Sequence, residues 1–287
     1  MGKLRDQMVQ DMRVRDFSER TIEAYVAAVR GLAKHYGKAP DTLSDEEIHR
    51  YLIYVSEERK LSASSRQQMR CGLRFFYDVT ARRPQACLAV PVARQPQKLP
   101  EILSREEVSS VIEATRTLRE RLLLMLAYGG GLRVSEVTHL RWSDLDRDRG
   151  LIRIEQGKGN KDRYTVLPRG VVETLDRYRT VYPPQSERLF PSRRDPQRAL
   201  DVTVVQKIYY GAKHAAGVEK QGGIHALRHA FATHTLELGC DLPTLQRMLG
   251  HGDIKTTMRY LHVTTGTIAQ RVSPLDQLVF AHPVPRR

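Results

Sequence analysis

Apolar positions recur with helical spacing through the first 80 residues of the chain. After Ser18 they fall three or four residues apart, which indicates a helix with one buried face, formed by Ile22, Tyr25, Val26, Val29, Leu32 and Ala33. Similar patterns follow Leu4, Asp45 and Ala63, and Ser44 with Glu47 gives a capping box ahead of the third segment. The pattern predicts four helices that pack as a bundle.

The helical pattern stops between Arg82 and Pro100. This stretch is rich in proline and has no apolar period, so it predicts an extended linker. Beyond it, Ser104 and Glu107 form another capping box at the start of a second helical region. We therefore predict a helical domain over residues 1–83, a linker over 84–100 and a second domain over 101–287.

The second region mixes helices with a short sheet. Leu122–Leu126 is apolar on all sides, which predicts a buried helix that ends at the glycines of 129–131. Leu151–Glu155 and Arg163–Leu167 alternate around a glycine-rich stretch, which predicts an antiparallel hairpin. Helical spacing returns in segments that begin near Pro168, Thr203 and His225. The predicted fold class is mainly α with a small antiparallel β-sheet.

The charge of the chain indicates what kind of partner it binds. Lys and Arg number 47 against 33 Asp and Glu, a net charge of +14, while 40% hydrophobic residues suffice for a buried core. Such an excess favours an anionic polymer, although membrane-surface and heparin-binding proteins share it. Five arginines crowd the last predicted helix of the bundle and its exit, where we expect phosphate contacts: Arg66, Arg70, Arg74, Arg82 and Arg83.

Cysteine usage and the absence of apolar runs bear on location. Cys71, Cys87 and Cys240 are odd in number and scattered, which predicts neither a disulfide framework nor a cysteine zinc site and fits a reducing cytosol. No apolar signal segment or membrane-spanning run is present. The expected location is cytoplasmic, with no export and no membrane contact.

Candidate chemistry concentrates near the end of the chain. His225 and Arg228 lie three residues apart, so on a helix their side chains share one face. Leu227, Phe231 and Leu238 form a separate apolar stripe that should be buried. This arrangement predicts a helix with one side in a core and a cationic edge open to an anion.

Two further reactive side chains follow. His251 comes directly after Gly250, in the turn that ends a short helix, and Tyr260 lies nine residues further. A tyrosine hydroxyl, with a reference pKa of about 10, is a poor nucleophile unless nearby groups stabilise the developing charge. Arginine can donate to two phosphate oxygens, and histidine can donate or move a proton. The set suits attack on a phosphodiester.

Upstream cations extend the set. Arg133 follows the glycine break near a helix start, a position suited to anion binding, and Glu136 shares its face. Lys158 lies at the glycine-rich hairpin tip, with Lys161 as the nearby alternative. The tip lacks the GxxxxGK[ST] pattern, which excludes a nucleotide-phosphate loop of that kind.

With its HALRH, LGH and MRYLH segments, the chain resembles the tyrosine recombinases, the phage-integrase and Xer-like family. The family signature is an Arg, a hairpin Lys, His-x-x-Arg, a His or Trp, and a Tyr. The resemblance implies six catalytic residues: Arg133, Lys158, His225, Arg228, His251 and Tyr260. It also implies a four-helix, SAM-like core-binding domain followed by an α+β catalytic domain.

The resemblance further implies a site-specific DNA recombinase. Tyr260 would attack a backbone phosphate, forming a 3′-phosphotyrosyl link and releasing a 5′-hydroxyl, with no cofactor, metal or ATP. The partners would be double-stranded DNA and other subunits of this or a related recombinase, as a dimer on one site and a tetramer, with a Holliday junction, in synapsis. Four apolar residues after Tyr260 would dock on a neighbouring subunit or form the molecule's own last packed turn: Leu275, Leu278, Val279 and Phe280.

Three other functions use parts of the same pattern. A type IB topoisomerase would share the constellation but relax supercoils without synapsis. A metallohydrolase could use His225 and His229 with His234 or His251, but the helix lacks the Glu of HExxH and no acidic cluster accompanies it. A non-catalytic DNA-binding protein descended from a recombinase would show a damaged signature, and this signature is intact.

Overall fold

The computed structural model describes residues 2–59, 61–84, 101–155 and 162–261. The chain divides into two compact units, Met1–Gln97 and Lys98–Arg287, called here the N-terminal and C-terminal units. This division falls inside the predicted linker, most of which (85–100) lies outside the described residues.

The N-terminal unit is a helical bundle around one apolar core. Its helices are α1 (Gly2–Arg13), α2 (Glu19–Tyr36), α3 (Asp45–Glu57) and α4 (Ala63–Phe75), with a short 3₁₀ turn at Pro40–Thr42 and a π-helical turn at Phe76–Thr80. Ser18, Ser44 and Ser62 each accept a backbone hydrogen bond at a helix start, so the predicted starts of α2, α3 and α4 are confirmed. Met8, Met12, Leu32, Ile48 and Leu73 are buried together in the core.

Among the five arginines expected on DNA, Arg66 and Arg83 donate hydrogen bonds to carbonyl groups inside the bundle. Arg66 donates to the Leu61 carbonyl at 2.7 Å. Arg83 donates to the carbonyls of Asp41 and Leu43 at 2.8 and 2.7 Å and pairs with Asp45. Arg83 therefore ties the exit of the bundle to the α2–α3 connection, a structural contact that its place in a basic run did not predict.

The C-terminal unit is built mainly from helices. They are α5 (Arg105–Glu113), α6 (Leu118–Gly129), α7 (Val134–His139), α8 (Arg169–Val181), α9 (Val202–Ala215), α10 (His225–Glu237), α11 (Leu242–Leu249) and α12 (Ile254–Met258). Helix α6 lies in the core, against α8 and α10, and four of its leucines have no exposed surface: Leu122, Leu123, Leu124 and Leu126. The all-apolar pattern of this segment therefore predicted its burial correctly.

A three-stranded antiparallel sheet flanks these helices. Strands β1 (Leu145–Asp146), β2 (Leu151–Ile154) and β3 (Arg163–Val166) lie in chain order, and the hairpin pairs Ile154 with Arg163. The predicted hairpin and fold class are confirmed, while β1, only two residues long, was not predicted. Strand β3 contacts α11, which brings the sheet to the candidate chemistry.

A smaller apolar cluster in the C-terminal unit positions the end of the described chain. Phe231, Leu236, Leu245 and Leu249 pack together with Tyr260. The expectation that Leu238 joins such a buried stripe is wrong, because α10 ends at Glu237 and the Leu238 side chain turns out to solvent with 76% exposure.

In the described part of the chain, no helix combines the length and the apolar character needed to cross a membrane.

Candidate active site

Four elements of the C-terminal unit bring the predicted residues into one cluster. Arg133 precedes α7, His225 and Arg228 lie on α10, His251 follows α11, and Tyr260 follows α12. Arg133 Nη2 lies 3.3 Å from the Gly250 carbonyl, and the rings of His251 and Tyr260 stack with their centroids 6.5 Å apart. Lys158, the sixth predicted residue, and its alternative Lys161 lie outside the described residues.

Arg133 is held at the start of α7 by Glu136. Its backbone N–H donates to Glu136 Oε2 at 2.7 Å, and its Nη1 donates to Glu136 Oε1 at 2.7 Å. The Arg133 side chain keeps 23% of its surface exposed. The guanidinium is therefore fixed by the protein on one side and open to a ligand on the other.

Arg228 differs from the prediction of an open cationic edge, because only 1% of its surface is exposed. Its Nη1 donates to the Gly131 carbonyl at 2.7 Å, and its Nη2 donates to the Leu249 carbonyl. Burial, followed by the positive charge of Arg133, lowers the pKa of Arg228 to about 10, so the side chain stays charged at neutral pH. The carbonyls at the ends of α6 and α11 thus enclose a buried cation.

Glu136 is the anion at the centre of three arginines. Besides Arg133, it accepts two hydrogen bonds from Arg163, at 2.9 and 2.8 Å, and Arg228 Nη1 lies 3.8 Å from its Oε2. Burial alone would raise the pKa of Glu136, but the hydrogen bonds and charge of Arg163, together with those of Arg133, lower it to about 2. The carboxylate is therefore ionised throughout the neutral range. Arg163 was not singled out from the sequence, where it reads as an ordinary strand residue.

Three histidines surround the arginines. Burial, then neighbouring positive charges, lowers the pKa of His229 and of His251 to about 4. Burial, followed by the charges of Arg228 and Arg133, also lowers the pKa of His225. His251 Nδ1 lies 2.9 Å from Thr257 Oγ1, which orients its ring. At neutral pH the three rings are uncharged.

Tyr260 is almost enclosed, with 4% of its surface exposed. Its Oη lies 2.8 Å from His229 Nδ1. Burial raises the pKa of Tyr260, and the charges of Arg228, Arg259 and Arg133 oppose that rise. The sequence interpretation gave His229 a place only in the rival metal site. The signal that it faces the cluster was available, because His229 follows His225 by one helical turn.

The rings of His225 and His229 meet edge to face, with centroids 4.6 Å apart. Within the described ranges, no group of three or more His, Cys, Asp or Glu side chains is arranged to hold a metal ion. The histidine set considered for a metallohydrolase is therefore not gathered into a metal site in this part of the chain.

Comparisons with known proteins identify the family of the chain. Residues 101–266 match the phage integrase family, and residues 4–86 match the phage integrase N-terminal SAM-like domain. A Sinorhizobium fredii protein with the provisional name integrase/recombinase y4qK is 38% identical over 286 residues, spanning 99% of this chain and 92% of its own. The tyrosine recombinase XerA of Thermococcus kodakarensis is 37% identical over 260 residues, 86% of each chain.

Among solved structures, the lambda integrase tetramer bound to a Holliday junction superimposes with a TM-score of 0.73 at 21% identity, over 90% of this chain and 76% of that one. At this identity the likeness concerns the fold. The family match spans all six residues that the sequence signature singled out. The chain belongs to the phage integrase family and is a tyrosine recombinase, an enzyme that cleaves and rejoins DNA strands.

Proposed function

We propose that Tyr260 is the nucleophile of this recombinase and that it attacks a backbone phosphate of double-stranded DNA. The Tyr260 Oη–phosphorus bond forms as the bond to the 5′-oxygen breaks, which leaves a 3′-phosphotyrosyl link and a 5′-hydroxyl end. The observation that carries the proposal is the position of the Tyr260 hydroxyl, on His229 and within the field of Arg228. The covalent link conserves the phosphodiester energy for rejoining, so ATP has no role.

The two arginines take different parts. Arg133 is partly exposed, so its free donors can meet the non-bridging oxygens of the phosphate. Arg228 is buried and donates to two backbone carbonyls, so it is not free to bind the phosphate directly. Its positive charge instead acts at a distance on the phosphate and on the Tyr260 oxygen. A fixed charge in a site that excludes water stabilises a developing anion more strongly than the same charge in water.

Histidine and lysine side chains complete the mechanism. His225 and His251, uncharged near neutral pH, can donate one ring N–H to a phosphate oxygen or relay a proton. Lys158 is the proposed acid that protonates the leaving 5′-oxygen, with Lys161 as its alternative. No step in this scheme requires a metal ion, because guanidinium groups supply the positive charge.

The assembly follows from the family and from the charge of the chain. We propose that a dimer binds one DNA site and that two sites pair in a tetramer that passes through a Holliday junction, the state in which lambda integrase has been solved. Residues 1–83 would grip DNA as the core-binding domain, 84–100 would link it, and 101–287 would carry catalysis and a tail for subunit contact. The place of action would be the nucleoid in the cytoplasm.

A plasmid assay tests recombination against simple relaxation. Duplexes that the protein protects are first selected from random sequence, and two copies of the selected site are placed as direct repeats on a supercoiled plasmid. With chelator and without ATP, we expect the protein to split the plasmid into two circles and the Tyr260→Phe variant to leave it unchanged. Relaxed plasmid without new circles would favour the topoisomerase function instead.

A further inference from the structure

One buried cation beside the site has no part in the proposed chemistry. Arg163 begins β3, and its side chain is 8% exposed. Each of its three nitrogens donates to a protein acceptor: Nη1 and Nη2 to the two oxygens of Glu136 at 2.9 and 2.8 Å, and Nε to the Met248 carbonyl at 2.9 Å. A guanidinium whose nitrogens all donate to the protein links structural elements and has little capacity left to bind phosphate. This link between Glu136 and the Met248 carbonyl is called here the Arg163 strut.

The first end of this strut fixes Glu136. Both carboxylate oxygens are held by one planar fork, which sets the plane of the carboxylate. The same two oxygens accept from the backbone and side chain of Arg133, each at 2.7 Å. The direction of the Arg133 guanidinium therefore depends on how Arg163 holds Glu136.

The second end fixes the turn that carries His251. Met248 lies in the last turn of α11, and Gly250 follows with a left-handed backbone, φ 64°. A Cβ at Gly250 would lie 2.6 Å from Arg163 Cδ, so the turn packs directly on the Arg163 side chain. Arg133 Nη2 also reaches the Gly250 carbonyl. Arg163 thus joins the sheet to both groups that flank the proposed phosphate position.

We propose that Arg163 is a positioning residue for strand cleavage, which holds Glu136 and the His251 turn so that Arg133 and His251 meet the phosphate in one geometry. The inference rests on the roles proposed above for these two residues. A fork is required because a single ammonium cannot span both oxygens of Glu136 and the Met248 carbonyl at once.

The positive charge of Arg163 should affect the pH dependence of cleavage, which a role in packing alone would not. The groups that face Glu136 are three arginines, Arg133 ahead of α7, Arg163 on β3 and Arg228 on α10, together with the titratable His225 on α10. Burial raises the pKa of Glu136, and Arg163 is the strongest of the influences that lower it. Without Arg163, we expect the pKa of Glu136 to rise. As the pH is lowered, the cleavage rate should then decline at a higher pH than in the wild type. This decline of the rate at low pH is called here the acid limb of the pH profile.

The test compares Arg163→Met, Arg163→Lys and the double variant Arg163→Met/Glu136→Gln with the wild type. Single-turnover adduct formation on a nicked suicide duplex, selected as above, is followed across pH, and duplex affinity is measured separately. We expect Arg163→Met to slow cleavage about 100-fold, since a misplacement of about 1 Å costs that much. Its affinity should stay within about twofold, because Arg163 makes no DNA contact in this scheme, and its acid limb should move to higher pH.

The other variants separate positioning from folding. Arg163→Lys keeps the charge but not the fork, so its acid limb should lie nearer to that of the wild type while its rate stays reduced. The double variant has no carboxylate at position 136 to titrate, so it should lack the upward shift of the acid limb expected for Arg163→Met, while its rate stays low because Arg133 has also lost its anchor. Arg153→Met serves as the matched control, since Arg153 lies on the neighbouring strand, pairs with Glu155 and Asp162, and is 45% exposed. Its rate and pH profile should be those of the wild type.

The results distinguish failure of the proposed role of Arg163 from failure of the proposed function. Wild-type rate and pH profile in Arg163→Met would overturn the inference, as would a slower rate with an unmoved acid limb in that variant. If Arg163→Met does not fold, Arg163→Lys decides: a wild-type rate in that variant would overturn the inference, because lysine keeps the charge but not the fork. A wild-type protein that forms no adduct would contradict the proposed function itself, which keeps the two failures apart.

Discussion

At the scale of single residues, burial determines the charge of the site. His229 and His251 are partly buried among arginines, and each has its pKa lowered to about 4. The arginines remain charged, so the positive charge near neutral pH comes from guanidinium groups and the histidines contribute neutral donors and acceptors. This division suits a phosphate ligand, because the rings can shift a proton without adding to the repulsion between cations.

The lowered pKa of His229 makes stability depend on pH. An unfolded histidine takes up a proton near pH 6.5, while folded His229 resists until about pH 4. The contribution of His229 to the free energy of unfolding is therefore complete above pH 6.5. As the pH falls from 6.5 to 4 this contribution is lost, which lowers the free energy of unfolding by up to about 3 kcal/mol. Urea unfolding followed by Trp142, the single tryptophan, which stacks on Tyr178, reports on the C-terminal unit. The wild type should lose more stability than His229→Asn between pH 7 and 4, and equal losses would contradict the assigned burial.

Residue spacing predicted part of this site. His225 and Arg228 share a helix face because they are three apart, and Arg133 with Glu136 follows the same rule. The burial of Arg228 was not predictable from spacing, since it depends on carbonyls at Gly131 and Leu249, which come from other elements. Contacts of this kind become visible only when the tertiary structure is known.

At the scale of elements, the turn between α11 and His251 controls the geometry. Gly250 ends α11 in the left-handed conformation, and its amide closes the helix on Gln246 and Arg247. Gln246 Nε2 then donates to the His251 carbonyl at 3.0 Å. The turn therefore delivers His251 to the site in a fixed direction.

Gly250→Ala should damage this turn in two ways. A left-handed alanine costs about 1–2 kcal/mol, and its Cβ would collide with Arg163. Gly217→Ala is the matched control, because Gly217 has φ 66° after α9 with no atom within 4 Å of its Cβ. We expect Gly217→Ala to lower stability modestly and leave cleavage intact, and Gly250→Ala to lose more stability and most cleavage. Urea unfolding and adduct formation measure both, and equal behaviour of the two variants would refute the crowding at Gly250.

The starts of helices were predicted better than the pairing of strands. The capping boxes at Ser44 and Ser104 set the starts of α3 and α5, because both hydrogen bonds of the box are local. Strand β1 escaped prediction, since two residues carry no period and pair only because β2 lies beside them.

At the scale of the whole molecule, the proposed mode of DNA binding rests on the charge of the chain and on its division into two units. The chain carries a net charge of +14, and each unit has its own apolar core. Two independently packed basic units can each bring cations to one duplex, joined by the connecting segment. Binding by this route depends on the release of counterions from DNA.

Affinity should therefore fall steeply with salt. A protein that neutralises several phosphates loses at least about tenfold in affinity between roughly 50 and 200 mM salt. Filter binding with the Tyr260→Phe variant isolates affinity from covalent capture, because that variant keeps the ring and its packing. A logarithmic plot with a slope near zero would contradict a DNA-gripping role for the two units.

The central claim is that Tyr260 is the nucleophile, and mapping the covalent adduct tests it most directly. A nicked suicide duplex traps the protein–DNA link, and peptide mass spectrometry locates it. We expect the DNA on Tyr260, no adduct from Tyr260→Phe at nearly unchanged affinity, and a normal adduct from the control Tyr210→Phe, whose ring is 53% exposed on α9. DNA attached to any other residue, or an adduct formed by Tyr260→Phe, would contradict the mechanism.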